Sequence, residues 1–380
     1  MFVGCCAILW HYWDRFKKRR IHKKKIFISA DCWLSVFELL PPRQLGHGIA
    51  LISNRFDCYV AEHFKTRRWS FGYVQIWRRK KETNDGTKEM QIFNGHGESM
   101  EIPQKSLMPK KVVGFQHLLI SYIDRNVIEF LRRFSSVFAN YGVNLSVQTK
   151  NDHLFERFVL NVWPLLKDEI RGILLCPRDL DRLRRFGHSA ILSDCPSLRF
   201  VFSYLGVFLK FPPDDCAGAS DGQALAKWLF LPRPDGVPKV LKCFIKFDEE
   251  QWTTKINGLI AAFSTASSPV NFIIGIAYSS ATDAFIVPFN LTNELTGERL
   301  TLNTTKNKHR HFLLIRCPIS RDENKWTNWE KEALELKFWD QWNTIDIAIV
   351  EEEIGDCLID GTSADPSDPN GERTCNVRSE

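Results

Sequence analysis

Apolar positions along this chain change their period several times, and each change marks an element. In ISADCWLSVFELLPPRQLGHGIALISNRF, Ile28 to Phe56, the residues Leu34, Phe37 and Leu40 recur at three-residue steps. Pro41-Pro42 stops that run, and Leu45, Ile49, Ile52, Phe56, Val60 and Phe64 follow at helical spacings. Ser29 is placed to N-cap the first helix, with Asp31 in its first turn, where a carboxylate complements the helix dipole. Gly46 and Gly48 weaken the second helix. A unit this short, about 40 residues, rarely buries enough surface to stand without a staple or a partner. No staple is visible.

Beyond Trp69 the period shortens to two. SFGYVQIW and EMQIF flank NDG, a turn signal between strands, and PQKSLMPKK marks a boundary near residue 110. Six strand-like runs follow: LLISY (Leu118 to Tyr122), VNLSVQ (Val143 to Gln148), IRGILLC (Ile170 to Cys176), LRFVFSY (Leu198 to Tyr204), VLKCFIKF (Val240 to Phe247) and NFIIGIAY (Asn271 to Tyr278). The first four begin about 25 to 28 residues apart, a leucine-rich-type repeat length. Helical faces fit between them, one on Val127, Ile128, Leu131, Phe134 and Phe138, another on Leu180, Leu183 and Phe186.

The pattern predicts an α/β chain: a short N-terminal helical module, a curved β/α leucine-rich-repeat-like solenoid with a parallel sheet, and a mixed β/α C-terminal cap. An ordinary wound α/β sheet is the alternative, because the strict leucine-rich consensus is absent. The expected division is a basic tail over 1–25, the helical module over 26–66, and a linker with a β-hairpin over 67–110. A repeat-like domain over 111–284, a cap over 285–360 and a tail of disordered composition over 361–380 complete it. Within the cap, DAFIVPFNL, ERLTLNT, HFLLIRCP and TIDIAIV read as strands, and RDENKWTNWEKEALELKFWDQW as a Trp-rich helix. Along the strands, Ser121, Asn144, Ser146, Gln148, Arg171, Arg199, Ser203, Lys242 and Lys246 fall on the less apolar side. That side would line a solenoid's concave surface and recognise a protein target; a plain solvated face fits the same pattern.

Composition narrows the function classes. The 380 residues are 44% hydrophobic and 25% charged, with 28 Phe and 12 Trp, which is ordinary globular composition with a heavy aromatic load. The net charge is +6, and KKRRIHKKK at Lys17 to Lys25 alone holds seven Lys or Arg. The rest is nearly balanced, which argues against nucleic acid as a partner. MFVGCCAILWHYW is shorter than the roughly 20 apolar residues of a bilayer span, so no stable membrane insertion is expected. An unstructured tail, a surface anchor and a nuclear import signal all fit this end. The 11 cysteines form no C-x-x-C and read as reduced thiols of a cytoplasmic or nuclear protein.

Chemistry is signalled mostly by absence. No phosphate loop, G-x-G-x-x-G or G-x-S-x-G elbow occurs. His309 and His311 lack a partner at metal spacing, and Asp214-Asp215 sits in a Pro/Gly/Ala loop where turn roles predominate. No catalytic set, metal site or cofactor is therefore expected, and the chain reads as a non-enzyme.

The opening stretch resembles an F-box, the helical module that docks on the Skp-type adaptor of a cullin-based ubiquitin ligase. Ile28 and Ser29 stand at its Leu-Pro start, with Ser29 in place of proline; CWLSVFELL makes the helix, PPRQL the turn and LISNRF, Leu51 to Phe56, the later block. PKKVVGFQHLLISYIDRNVIEFLRRF, GASDGQALAKWL, LTGERL and LIRCPISRDENKWTNWEKEA resemble a large nematode F-box family, with similarity from Ile26 to about Asp360. The resemblance implies a substrate receptor with Skp-type adaptor and cullin scaffold as partners and an unknown protein substrate. It implies adaptor contacts at Ile28, Ser29, Cys32, Leu34, Pro42, Leu45, Leu51 and Ile52. The other reading is a leucine-rich-repeat-like binding or structural protein with no ligase role, its helical module packed on its own chain.

Overall fold

Ser29 is extended, and its Oγ accepts a hydrogen bond from the Cys32 amide at 3.4 Å, opening helix α1 (Ala30–Phe37). The next segment winds unevenly, as a π turn over Leu45–Ile49 and a 3-10 turn over Ala50–Ile52. Ser53 then caps α2 (Asn54–Thr66) by accepting from the Phe56 amide at 3.4 Å. Phe37, Leu45 and Val60 form the core of this unit, with Trp33, Leu34, Ile49, Phe56 and Phe64 packed partly against it. Trp33 meets Phe56 edge-on at 4.8 Å between ring centroids, and Arg67 Nη1 donates to the Phe37 carbonyl at 3.2 Å, tying the two helices together. The computed structural model describes residues 28–40, 44–80, 88–94, 99–101, 112–203, 207–245, 249–278, 286–304 and 311–349. Its chain divides into two compact units, Met1–Arg68 and Trp69–Glu380.

The second unit is mixed α/β. Its strands are β1 (Trp69–Ser70), β2 (Tyr73–Lys80), β3 (Lys88–Asn94), β4 (Ser99–Glu101), β5 (Val112–Gly114), β6 (His117–Ile120), β7 (Val143–Thr149) and β8 (Ile170–Leu175). They continue with β9 (Phe200–Ser203), β10 (Lys239–Ile245), β11 (Phe272–Tyr278), β12 (Phe289–Asn293), β13 (Glu298–Thr304), β14 (His311–Pro318) and β15 (Thr344–Ile349). Apart from the small β1-β5 pair, the described strands form one thirteen-stranded sheet, ordered β12-β13-β14-β11-β10-β9-β8-β7-β15-β6-β2-β3-β4. From β2 across to β11 every pairing is parallel, and both flanks are antiparallel.

Alternation of side chains divides the sheet into two faces. On the first, Leu118, Ile120, Leu145, Ile173, Val201, Leu241, Ile274 and Ile345 form the main core. It is covered by α3 (Arg125–Arg133), α4 (Ser135–Tyr141), α5 (Asp152–Asn161), α6 (Pro177–Phe186), α7 (Asp221–Phe230) and α8 (Glu249–Ser264). On the second, Val240, Ile273, Leu313, Ile315 and Cys317 meet Trp326 and Ala333 of α9 (Glu323–Glu335). Successive parallel strands joined by right-handed crossovers put their helices on one side, so the second face is left to the returning C-terminal segment.

That return is fixed by Asn343. The residue is left-handed, φ 53°, a conformation Asn tolerates better than most side chains. Its Oδ1 accepts from the Phe115 amide at 3.1 Å and its Nδ2 donates to the Gly142 carbonyl at 3.2 Å, bridging the starts of β6 and β7. Asn144 Nδ2 donates to the Trp342 carbonyl at 2.9 Å. The amide of Asn343 donates to the Phe115 carbonyl, and the Asn144 amide to that of Asn343. Gly114 permits this: a Cβ there would lie 1.9 Å from Asn343 Oδ1. Beyond the clamp, β15 enters between β6 and β7, burying Ile345, Ile347 and Ile349.

Two expected segments and the strand order differ from the sequence expectation. The segment expected as a linker places β2 beside β6, so its strands extend the main sheet; the NDG turn and PQKSLMPKK lie outside the described residues. The expected cap does not end a stack: β12 to β14 lengthen one flank, α9 lies across a face, and β15 sits among the early strands. A stack of repeats places each strand beside its neighbours in the chain; β7 to β11 do so, and β15 does not.

Two stability measurements check these packing statements. Asn343→Ala orphans two buried partners and is expected to lower the unfolding free energy of the second unit by about 2–4 kcal/mol in urea titration; Asn343→Gly, which keeps the backbone freedom, should still lose most of it. Lys239 is buried, its Nζ donating to the Trp228 carbonyl, and burial pushes its pKa down to about 7. Between that value and the usual 10.5 the unfolded chain holds one proton more, so this lysine adds stability as pH rises through the window and loses it as pH falls towards 7. Lys239→Met should flatten the stability profile measured from pH 7 to 9.

Candidate functional site

The N-terminal unit leaves much of its apolar side chain surface open. Leu39 is 84% exposed, Leu51 78%, Ile52 63%, Val36 44% and Ile28 40%, whereas Leu45 is fully buried. The reason is local geometry. A π turn advances fewer degrees per residue than an α-helix, so Leu45 turns inward to Phe37 and Val60 while the tight Ala50–Ile52 turn throws Leu51 and Ile52 outward. Arg55 Nη2 donates to the Ile28 carbonyl at 3.3 Å, holding the chain entering α1 against α2.

Of the adaptor contacts implied by the resemblance, Ile28, Ser29, Cys32, Leu51 and Ile52 are exposed and Leu34 is half-buried against the core. Leu45 belongs to the core and offers no surface. Pro42 lies outside the described residues. Val36 and Leu39 join the ledge without having been singled out; the signal for them is that CWLSVFELL carries more apolar residues than one helix face can bury.

The second face of the sheet holds only part of the expected target surface. Asn144, Ser146 and Gln148 alternate on β7, in register with Thr344, Asp346 and Ala348 of β15, but Ser146 is buried and its hydroxyl donates a hydrogen bond to the Asp346 carboxylate. Lys242 lies on this face between Phe202 and Gly275. Ser203 points the other way, pairing with Leu175 and Cys243 and donating to the Val207 carbonyl at 2.7 Å. Arg199 is committed to Glu332 of α9, Nη2 to Oε2 at 2.7 Å and Nη1 to Oε1 at 3.2 Å. Arg171 is exposed beside Gly142, and Ser121 is half-buried just past β6. Lys246 is outside the described residues.

The polar centre of that face was not read from the sequence. His117 of β6 and Asp346 of β15 flank each other there, and His117 Nε2 and Asp346 Oδ1 are buried without a hydrogen-bond partner. Burial holds the imidazole below its usual pKa and the carboxyl above its own. Tyr73 and Trp339 stand edge-on to His117, at 5.8 and 5.7 Å between centroids. Tyr73, Trp77 and Trp339 are all exposed, giving the face the aromatic enrichment of contact surfaces.

Elsewhere the flagged residues have local roles. Asp214 accepts from the Cys216 amide and Asp215 from the Ser193 hydroxyl, at 3.0 and 2.8 Å, both shaping the loop before α7. His309 is outside the described residues. Cys195, Cys243 and Cys317 are buried, and burial pushes the Cys195 thiol up to about 12. Among the described residues no three His, Cys, Asp or Glu gather to hold a metal ion, and no helix is long and apolar enough to cross a membrane.

The difference between Leu45 and Leu51 is measurable. Leu45→Ala should lower the stability of the N-terminal unit by about 2–5 kcal/mol and Leu51→Ala by no more than about 0.5 kcal/mol, read by hydrogen exchange of the α1 and α2 amides. Equal acceleration by both would show Leu51 to be a core residue. No family model, curated protein or solved structure matches the chain.

Proposed function

We propose that this chain is a non-catalytic substrate adaptor of the F-box kind, working in the cytoplasm, the nucleus or both. The N-terminal unit docks on a Skp-type adaptor and through it on a cullin scaffold; the β/α body recruits a protein target for ubiquitination. The chain supplies proximity and orientation, and other subunits supply the chemistry. The observation that carries this reading is the ledge of Ile28, Val36, Leu39, Leu51 and Ile52, exposed around a three-residue core. Five large apolar side chains left open on so small a unit support reading it as a surface for another polypeptide. In the body, β7 to β11 pair in chain order with helical segments in each connection, which supports reading that stretch as repeat-like and its second face as the recruiting surface.

Leu51→Asp combined with Ile52→Asp tests it. A charge on either side chain is free in water but cannot be desolvated in an apolar groove. The double variant is expected to keep the wild-type melting curve and to lose co-purification with the Skp-type adaptor. Retained co-purification removes the docking claim; loss of folding in the same variant would place both residues in a core.

A further inference from the structure

Among the described residues, Lys242 has only neutral hydrogen-bond partners. Its Nζ donates to the Leu334 carbonyl at 3.0 Å and the Leu336 carbonyl at 2.6 Å, at the C-terminal end of α9, where a cation complements the helix dipole. Gly275 lies beside it, its Cβ position 3.6 Å from the Ala333 carbonyl oxygen, so the helix end packs directly on β11. An ammonium carries three donors, and two are used. Burial is what lowers its proton affinity, with no carboxylate among the described residues opposing it. A half-buried ammonium lacking an anionic partner is an uncommon arrangement, since buried charges are normally paired.

The same lysine opens into a cavity of about 320 Å³ at the carboxyl ends of β9, β10 and β11, the edge at which parallel α/β sheets bind ligands. Its other walls are aromatic. Phe202 and Phe338 meet at 5.3 Å between centroids, Phe338 and Trp339 at 4.9 Å, and Phe244 lines the strand side. Lys337 stands at the rim, loosely paired with Asp340 at 3.9 Å. Among the described residues two lysines, Lys242 and Lys337, border the space and no acidic residue does. The volume is at the small end of ligand pockets, about 300–1,000 Å³.

We propose that this cavity binds an apolar carboxylate, with the carboxylate on the third donor of Lys242 and the apolar group among Phe202, Phe244, Phe338 and Trp339. Two sources share that chemistry: a small aromatic acid, or the C-terminal residue of a polypeptide. The site deepens the recruitment half of the proposed function and rests on that half only for what it would recruit. None of the probes below engages the N-terminal unit, so docking and pocket fail separately.

The test is calorimetric titration of the full chain with three probes: N-acetyl-Ala-Phe as the free acid, the same dipeptide as its C-terminal amide, and 3-phenylpropionate. The free acid should bind at least tenfold tighter than the amide, and Lys242→Met should reduce the acid to the level of the amide. Trp339→Ala, at a half-open position, should weaken whichever acid binds without altering the melt. A tighter dipeptide acid assigns the site to a polypeptide terminus, and binding of phenylpropionate alone assigns it to a small acid; either sustains the proposal. Equal binding of acid and amide overturns it, as does the absence of binding by both acids. The comparison of acid with amide on the wild-type chain holds even where Lys242→Met fails to fold.

Discussion

A helical unit whose core is Phe37, Leu45 and Val60 cannot cover its own apolar side chains, and the rest of the functional reading depends on that shortage. Burying one Leu or Ile side chain stabilises by about 1.5–3 kcal/mol, so leaving Leu39, Leu51 and Ile52 in water forgoes a large part of what so small a module could gain. The aromatic contacts of Trp33, Phe37 and Phe56 and the two serine caps hold the helices in place without those leucines. Structure is thus kept separate from surface. Folding of the unit does not consume these exposed side chains.

The second unit has a comparable division of labour. Helices α3 to α8 occupy one face, and the returning segment from α9 to β15 sets the character of the other. Asn343 clamps the return, and the Leu336-to-Trp342 stretch leading into it carries Phe338 and Trp339 across the open face. Trp339 meets His117 of the polar pair and also lines the cavity at Lys242. One late segment of chain therefore completes the centre of the sheet and builds part of the cavity wall.

Much of this was legible in local pattern, and what was not has a physical reason. Strands such as Val143–Thr149 and Phe272–Tyr278 and the cap at Ser29 follow from alternation and from one side chain oxygen, both local properties. Strand order is not local: TIDIAIV reads equally well as an edge or a centre, and only Asn343, reaching Phe115 more than 200 residues away, decides. The sidedness of Leu45 and Leu51 was lost because the π and 3-10 turns break the period on which helical spacing rests. Its polarity alone puts Ser203 on the polar side, whereas its register with Leu175 and Cys243 sets it on the helical face. The alternation places Lys242 on the less apolar, target-facing side, but its partners, Leu334 and Leu336, lie more than 90 residues on.

Hydrogen exchange on the full chain, with and without a purified Skp-type adaptor, reads the ledge directly. Slower exchange over α1 and from Leu45 through α2, with the amides of the sheet unchanged, is the outcome that open leucines awaiting a partner require. Unchanged exchange across the N-terminal unit at saturating adaptor, or protection confined to the sheet, would contradict it.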